Sequence, residues 1–285
     1  DNLKKYTLQA RRYIDRSFGL VRVPSLVLDV KFKHMKKIME KRAMALQSNL
    51  LVQTEDDLVP ATIQYNDRNV RVEIRLKGDH VDHLDGEDKW SYRVHVRGDD
   101  HLFGMRRFSL QHPKTRDYQY ERMFFETVRL FDVLTPRYRY VYLIQNGRDQ
   151  GIMALEEHFS GELLESQGRR EGVIIRFDES LYWQAADGAV EGNRHGAFDS
   201  PFTASIDAFQ ETKIKSFPQL AHEYRIAVGL LRGFIEGTLP ASEVFDVERI
   251  GGFIAVSQFW GAWHAIRWHN LRFYLNPMTM RLEPI

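Results

Sequence analysis

The chain contains no cysteine. Disulfides, zinc ribbons and thiol nucleophiles are thereby excluded, while the redox compartment stays open because a cysteine-free chain suits either environment. Charge of one sign is also missing: 40 Lys and Arg stand against 39 Asp and Glu, a formal net charge of +1. Such balance lacks the basic excess that marks a nucleic-acid binder, and it argues against an acidic tail or a disordered chain. No apolar run approaches the ~18 residues needed to cross a bilayer as a helix. No G-x-S-x-G elbow, internal repeat or low-complexity tract is present. The chain opens at Asp1 without a signal peptide, which reads as a soluble portion with room for an upstream leader or anchor.

What is present is ample core material. The 285 residues are 43% hydrophobic and 12% aromatic, enough for one large domain or two tightly joined parts. Residues 2–15 read as a short amphipathic helix. Residues 23–30, carrying Pro24, read as an extended linker, and 32–46 as a helix with Met35, Ile38, Met39 and Ala43 on one face. From Ala61 the period becomes two. Residues 61–65, 69–77, 91–97 and 106–111 alternate as half-buried strands. A helix over 117–131, capped by Thr115 or Asp117, follows, then a hairpin turning at Asn146-Gly147. Beyond Glu157 come a helix (158–167), a strand (173–177), a polar loop (178–200), helices over 217–236 and 241–266, and a terminal hairpin. A β-rich front and a helical back give an α+β layout.

Four segments in order carry a family resemblance. They are RLKGDH at 75–80 with KWSYRV at 89–94; the helix bearing Glu126, with Pro136 ten residues on and the strand YVYLI; NGRDQGIMALEEHF at 146–159; and WHNLRFYLNPMTMRLEPI at 268–285. Together they resemble the CotH (spore-coat protein H) family of atypical protein kinases. The resemblance implies a two-lobed atypical protein-kinase-like fold. A β-rich antiparallel N-lobe (49–157) would follow an N-terminal extension (1–48) and precede a mainly helical C-lobe (158–285). It also implies an ATP-dependent phosphotransferase using Mg2+, with a protein or extracellular polymer as acceptor, working outside the cytoplasm or in the cell envelope. Cytoplasmic placement is the alternative.

Mapped onto this chain, the family pattern gives Lys89 or Arg93 as the phosphate-contacting cation, with Lys77 as the alternative. On the residues alone each reads as a solvated edge charge, and the resemblance is what raises the phosphate reading beside it. Glu126 takes the place of the helix glutamate, against a plain local pairing with Arg122 or Arg129. Glu157, beside Glu156, takes that of the hairpin glutamate, or is simply a carboxylate at a helix N-terminus. Asn270 takes that of the metal-binding asparagine, or of a helix C-terminal residue. Asp178 is an accessory carboxylate or a turn residue. Asp79, His80, Asp82, His83, Asp85 and Asp88 form a polar cluster without a recognised metal spacing. Trp183 and Arg194 sit in the loop that would shape acceptor choice.

Two departures matter. The family's catalytic aspartate precedes the asparagine by five residues, where this chain has Ala265; His264 is the neighbouring base, or a partly buried histidine between Trp263 and Trp268. The family's metal-binding aspartate follows the last hairpin strand, and the sequence given ends at Ile285. The alternatives to a kinase are therefore a degenerate kinase-fold binding module and a transferase of the AMP moiety.

Overall fold

A computed structural model describes residues 23–78, 81–84, 86, 89–179 and 200–285. The expected helix at 2–15, together with Asp79, His80, Asp85, Asp88, Trp183 and Arg194, lies outside the described residues.

Seven strands close into a barrel: β1 (Ser25–Asp29), β2 (Val59–Tyr65), β3 (Arg68–Leu76), β4 (Tyr92–Val96), β5 (Arg107–Gln111), β6 (Tyr138–Gln145) and β7 (Arg148–Glu157), in the order β1-β2-β3-β4-β5-β7-β6. The period-two pattern drives this. Along β3 and β4 every second residue is buried, so one face of each strand fills the barrel and the other points outward. Leu26, Leu28, Ile63, Val72, Ile74, Val94, Phe108, Leu110, Leu143 and Leu155 make the interior. Asn146 and Gly147 both adopt positive φ (48° and 77°), the geometry that a tight two-residue hairpin demands.

Closure depends on β1, which pairs antiparallel with β2 and parallel with β6. The linker expected at 23–30 is thus a barrel strand; Pro24 sits just ahead of its first residue, where a missing N–H costs no ladder bond. Helix α1 (Phe32–Ser48) rests on the barrel through Ile38 and Ala45. The helix expected from 117 starts later. Asp117 and Tyr118 hold φ of 47° and 58°, which no helix tolerates, so α2 is Tyr120–Val128.

The back half is organised by a second sheet. After α3 (Gly161–Ser166), strands β8 (Ile174–Phe177) and β9 (Ile206–Ala208) join the terminal hairpin, β10 (Arg272–Asn276) and β11 (Arg281–Pro284), in the order β11-β10-β8-β9. Helices α4 (Glu211–Ser216), α5 (Pro218–Ile235), α6 (Ala241–Val244) and α7 (Val247–Phe259) surround it. The single helix expected over 241–266 is broken at Phe245, whose extended backbone bridges to Leu282 of β11. Phe124 and Val128 of α2 meet Phe253 and Val256 of α7 in a separate apolar cluster.

The two-lobed kinase-like fold with a mainly helical C-lobe is therefore not what forms. A closed seven-strand barrel forms the front half, and of the seven α-helices among the described residues, most of them short, four surround a four-stranded sheet. The physical reason is β1: a strand that satisfies both open edges leaves the front half no unpaired rim.

Candidate functional site

Three barrel strands, β3, β5 and β7, each end their buried run with a leucine followed by a polar residue: Leu76-Lys77, Leu110-Gln111 and Leu155-Glu156. Strand alternation sends the leucines into the barrel and their successors to its outer wall. There the Lys77 Nζ donates to Gln111 Oε1 at 2.7 Å and to Glu156 Oε2 at 2.6 Å. Gln111 Nε2 donates to the same Glu156 oxygen at 3.1 Å.

Helix α2 and the 3-10 turn Pro113–Arg116 bring further charge to this group. Arg116 Nε lies 3.3 Å from Glu121 Oε1, and Tyr138 is near the same carboxylate. Two cations and two carboxylates thus share one nearly dry wall, where their protonation states separate. Burial works against a charged Glu156, but Lys77 and Arg116 outweigh it and hold its carboxyl below the ordinary range. Burial and the neighbouring Glu156 push Glu121 up to about 7. Burial lowers Lys77 despite Glu156.

The raised Glu121 makes a pH prediction. Native Glu121 keeps its proton up to about pH 7, whereas in the unfolded chain it releases it near 4.5. The native state binds the extra proton in between, so this group's stabilisation is complete below pH 4.5 and is lost as pH rises through 7. Glu121→Gln, neutral throughout, is expected to remove that decline and raise stability at pH 8 by roughly 1–3 kcal/mol relative to the parent. Urea unfolding at pH 5 and pH 8 measures it; an unchanged difference between the two pH values would refute the assignment.

Along the same outer wall lie Arg93 and His95 of β4 and Arg107 of β5. Arg93 acts both on Glu156 and on His158, just past β7. Opposite, β8 and β10 set Arg176 and Arg272 in direct register. Their guanidinium carbons lie 5.1 Å and 6.0 Å from the Phe209 ring centre, and the His158 ring meets the same phenyl edge-on at 5.4 Å. The Nε of Arg176 is buried with no hydrogen-bond partner among the described residues. Burial, then Arg93 and Arg107, drives His158 well below its ordinary pKa; burial, then Arg107 and Arg75, takes His95 to about 4. Both imidazoles stay neutral because burial strips their solvation and cations crowd the space. Glu179, 3.8 Å from Arg272, is a modest counterweight.

The residues expected from sequence fall unevenly around this wall. Arg93 is in it. Lys89 donates its Nζ to the Ile152 carbonyl at 2.6 Å, four residues or about 13 Å along β7 from Glu156. Glu126 is exposed and pairs with Arg129 at 3.0 Å; it sits five residues beyond Glu121, about 140° around the helix. Glu157 is buried on the opposite side of β7 from Glu156, where Arg137 Nε donates to it at 2.9 Å. Asn270 closes the turn Trp268–Asn270, two residues before Arg272, and its Nδ2 donates to the His264 carbonyl at 2.9 Å. The His264 ring lies 6.0 Å from that of His269, and Ala265 packs against the α2–α7 cluster. His83 of the polar cluster is buried against Ser91 Oγ at 3.0 Å, and among the described residues no three His, Asp or Glu side chains are grouped to hold a metal.

Sequence reasoning did not single out Gln111, Arg116, Glu121, Tyr138, Arg176 or Arg272. The repeated Leu-polar step was the available signal for Gln111; the rest required the tertiary fold.

A search of curated proteins finds no match to this chain. The family profile described as CotH kinase protein matches residues 74–282, from the end of β3 into β11, and so takes in both walls just described. This chain belongs to the CotH kinase family.

Proposed function

We propose that this chain is a kinase-like transferase that binds ATP with its phosphates between the outer barrel wall and the second sheet. It would pass the terminal phosphoryl group to a protein or cell-surface polymer hydroxyl outside the cytoplasm. The observation that carries this reading is the surplus of cations around Phe209, where half-buried Arg176 has a buried Nε without a hydrogen-bond partner among the described residues. A buried N–H without an acceptor is costly, and phosphate oxygens, which bind Arg through paired N–H donors, would supply one. Phosphoryl transfer asks little covalent chemistry of a protein beyond placing charge of this kind.

Lys77, fixed by Glu156 and Gln111, is the further cation of the wall. Arg93 is the sequence-expected cation in the best position to join it. Magnesium belongs to the family's chemistry. Here the Asn270 amide is one donor, the described donor set is too thin to draw a site, and no step is assigned to the metal. Ala265 favours a second reading, a nucleotide-binding module without turnover, because a methyl group cannot orient or deprotonate an acceptor.

Calorimetry of the full-length protein with ATP and Mg2+ is the test. Arg176→Gln is expected to weaken ATP binding about tenfold, the loss of one charge-assisted contact. Absence of binding by the parent, or equal binding by the variant, would overturn the proposal. Mass spectrometry of reacted acceptors separates an added phosphate from an added AMP. Binding without any product selects the second reading.

A further inference from the structure

The near-neutral total charge hides a polar division of the chain. Residues 1–46 hold 12 of the 40 Lys and Arg but only 4 of the 39 Asp and Glu, leaving 28 against 35 for the rest. Part of that excess sits on α1. This 17-residue helix buries only Ile38 and Ala45. Lys41 pairs with Asp57 at 3.0 Å and Arg42 donates to the Leu84 and Gly86 carbonyls, so those two cations tie the helix to the barrel. The opposite face is left to solvent: Phe32 is 86% exposed, Met39 54% and Met44 60%, with Lys33 and Lys36 exposed among them. Glu40 is the only acidic residue on the helix.

At the N-terminal end of α1 lies a cavity of about 440 Å3. Lys31, His34, Arg71 and Arg97 line it, together with Asp29 and Glu73. It opens on the same side of the barrel as the start of the helix.

We propose that the outer face of α1 docks this protein onto an anionic phospholipid surface. Large apolar side chains interspersed with lysines, on a helix with five Lys and Arg against one Glu, are what a negatively charged lipid interface attracts: the lysines meet headgroups while Phe32 and Met39 enter the acyl boundary. An acidic protein partner would be met by the lysines but gives no reason for so many unburied apolar groups. The cavity beside Lys31, in which Arg97 pairs with Glu73 at 3.1 Å, has room for a lipid headgroup. The attachment lies along the surface: among the described residues no helix is long and apolar enough to cross a membrane. The helix α1 lies outside the family-matched segment.

Co-sedimentation of the full-length protein with vesicles tests this. With one part phosphatidylglycerol to two parts phosphatidylcholine, the protein is expected to pellet; with phosphatidylcholine alone it stays in solution. Lys33→Glu combined with Lys36→Glu should weaken binding to the anionic vesicles by about thirtyfold, counting about 1 kcal/mol for each lysine. Phe32→Ser with Met39→Ser should weaken it on the same vesicles. Lys215→Glu, an exposed charge reversal on α4, should leave it unchanged. Protein remaining in the supernatant with anionic vesicles would overturn the proposal. So would a lysine double variant that binds like the parent, or retention on heparin without vesicle binding.

Discussion

Lys77→Met is expected to abolish nucleotide-dependent transfer and, at the same time, to destabilise the fold by ~3–5 kcal/mol. The two effects have one origin. Lys77 is buried, and both its acceptors, Gln111 and Glu156, are on neighbouring strands of a closed barrel that cannot shift to find other partners. Removing the ammonium leaves Glu156 charged on a dry wall, the costly way of breaking a buried pair. Replacing both partners, Lys77→Met with Glu156→Leu, is expected to recover most of the stability, because the uncompensated charge is gone. It should recover no transfer, because a cation for the phosphates is still missing. Urea unfolding with a transfer assay on the same preparations distinguishes the cases. A double variant that regains transfer would remove Lys77 from the proposed nucleotide site, and a single variant as stable as the parent would refute the buried pair.

The second large effect concerns Glu283, whose side chain is fully buried in β11. Arg169 Nε donates to it at 3.0 Å, Arg249 Nε approaches to 3.7 Å, and Asn276 Nδ2 donates at 2.6 Å. Arg169 also lies 3.0 Å from Asp132, at the end of the segment that follows α2, and Arg249 pairs with that same carboxylate and with Asp246. One acidic side chain therefore sits between two guanidinium groups that join the segment after α2 to the second sheet. Glu283→Ala is expected to cost ~3–5 kcal/mol, since it leaves two cations facing each other around a cavity. Asp132→Ala is expected to cost well under half of that, because its carboxylate is largely exposed and exposed pairs contribute ~1 kcal/mol or less. Equal losses for the two variants would contradict the account.

How much of this was legible in the residues differs element by element. Strands β2 to β7 declared themselves by alternation and by the Asn146-Gly147 turn, because both signals are local. Barrel closure was not legible. The parallel pairing of Ser25 with Tyr142 joins segments that no window of periodicity compares, and Pro24 disguised the strand as a linker. For the two glutamates of α2, helix phase sets where each side chain lies. The motif pointed to Glu126, but Asp117 and Tyr118 shift the start of α2, and the apolar side that carries Phe124 and Val128 turns Glu121 toward the barrel wall and Glu126 to solvent. Glu156 and Glu157 differ by a single residue, yet strand alternation sends one to Lys77 and the other to Arg137. Arg176 and Arg272 are neighbours only through the register of two strands nearly a hundred residues apart. Residue order alone carries no mark of that.

The barrel's last seam also bears on how the chain is made. During synthesis β1 emerges early, yet the strand that seals it, β6, leaves the ribosome more than a hundred residues later. Until then β1 and β2 can form only an incomplete ribbon with an open rim, the kind of surface that recruits stray strands. For the same reason, an expression clone trimmed to the family-matched stretch would begin within β3 and lack two staves of the barrel. Such a fragment should aggregate where a clone starting ahead of Ser25 does not.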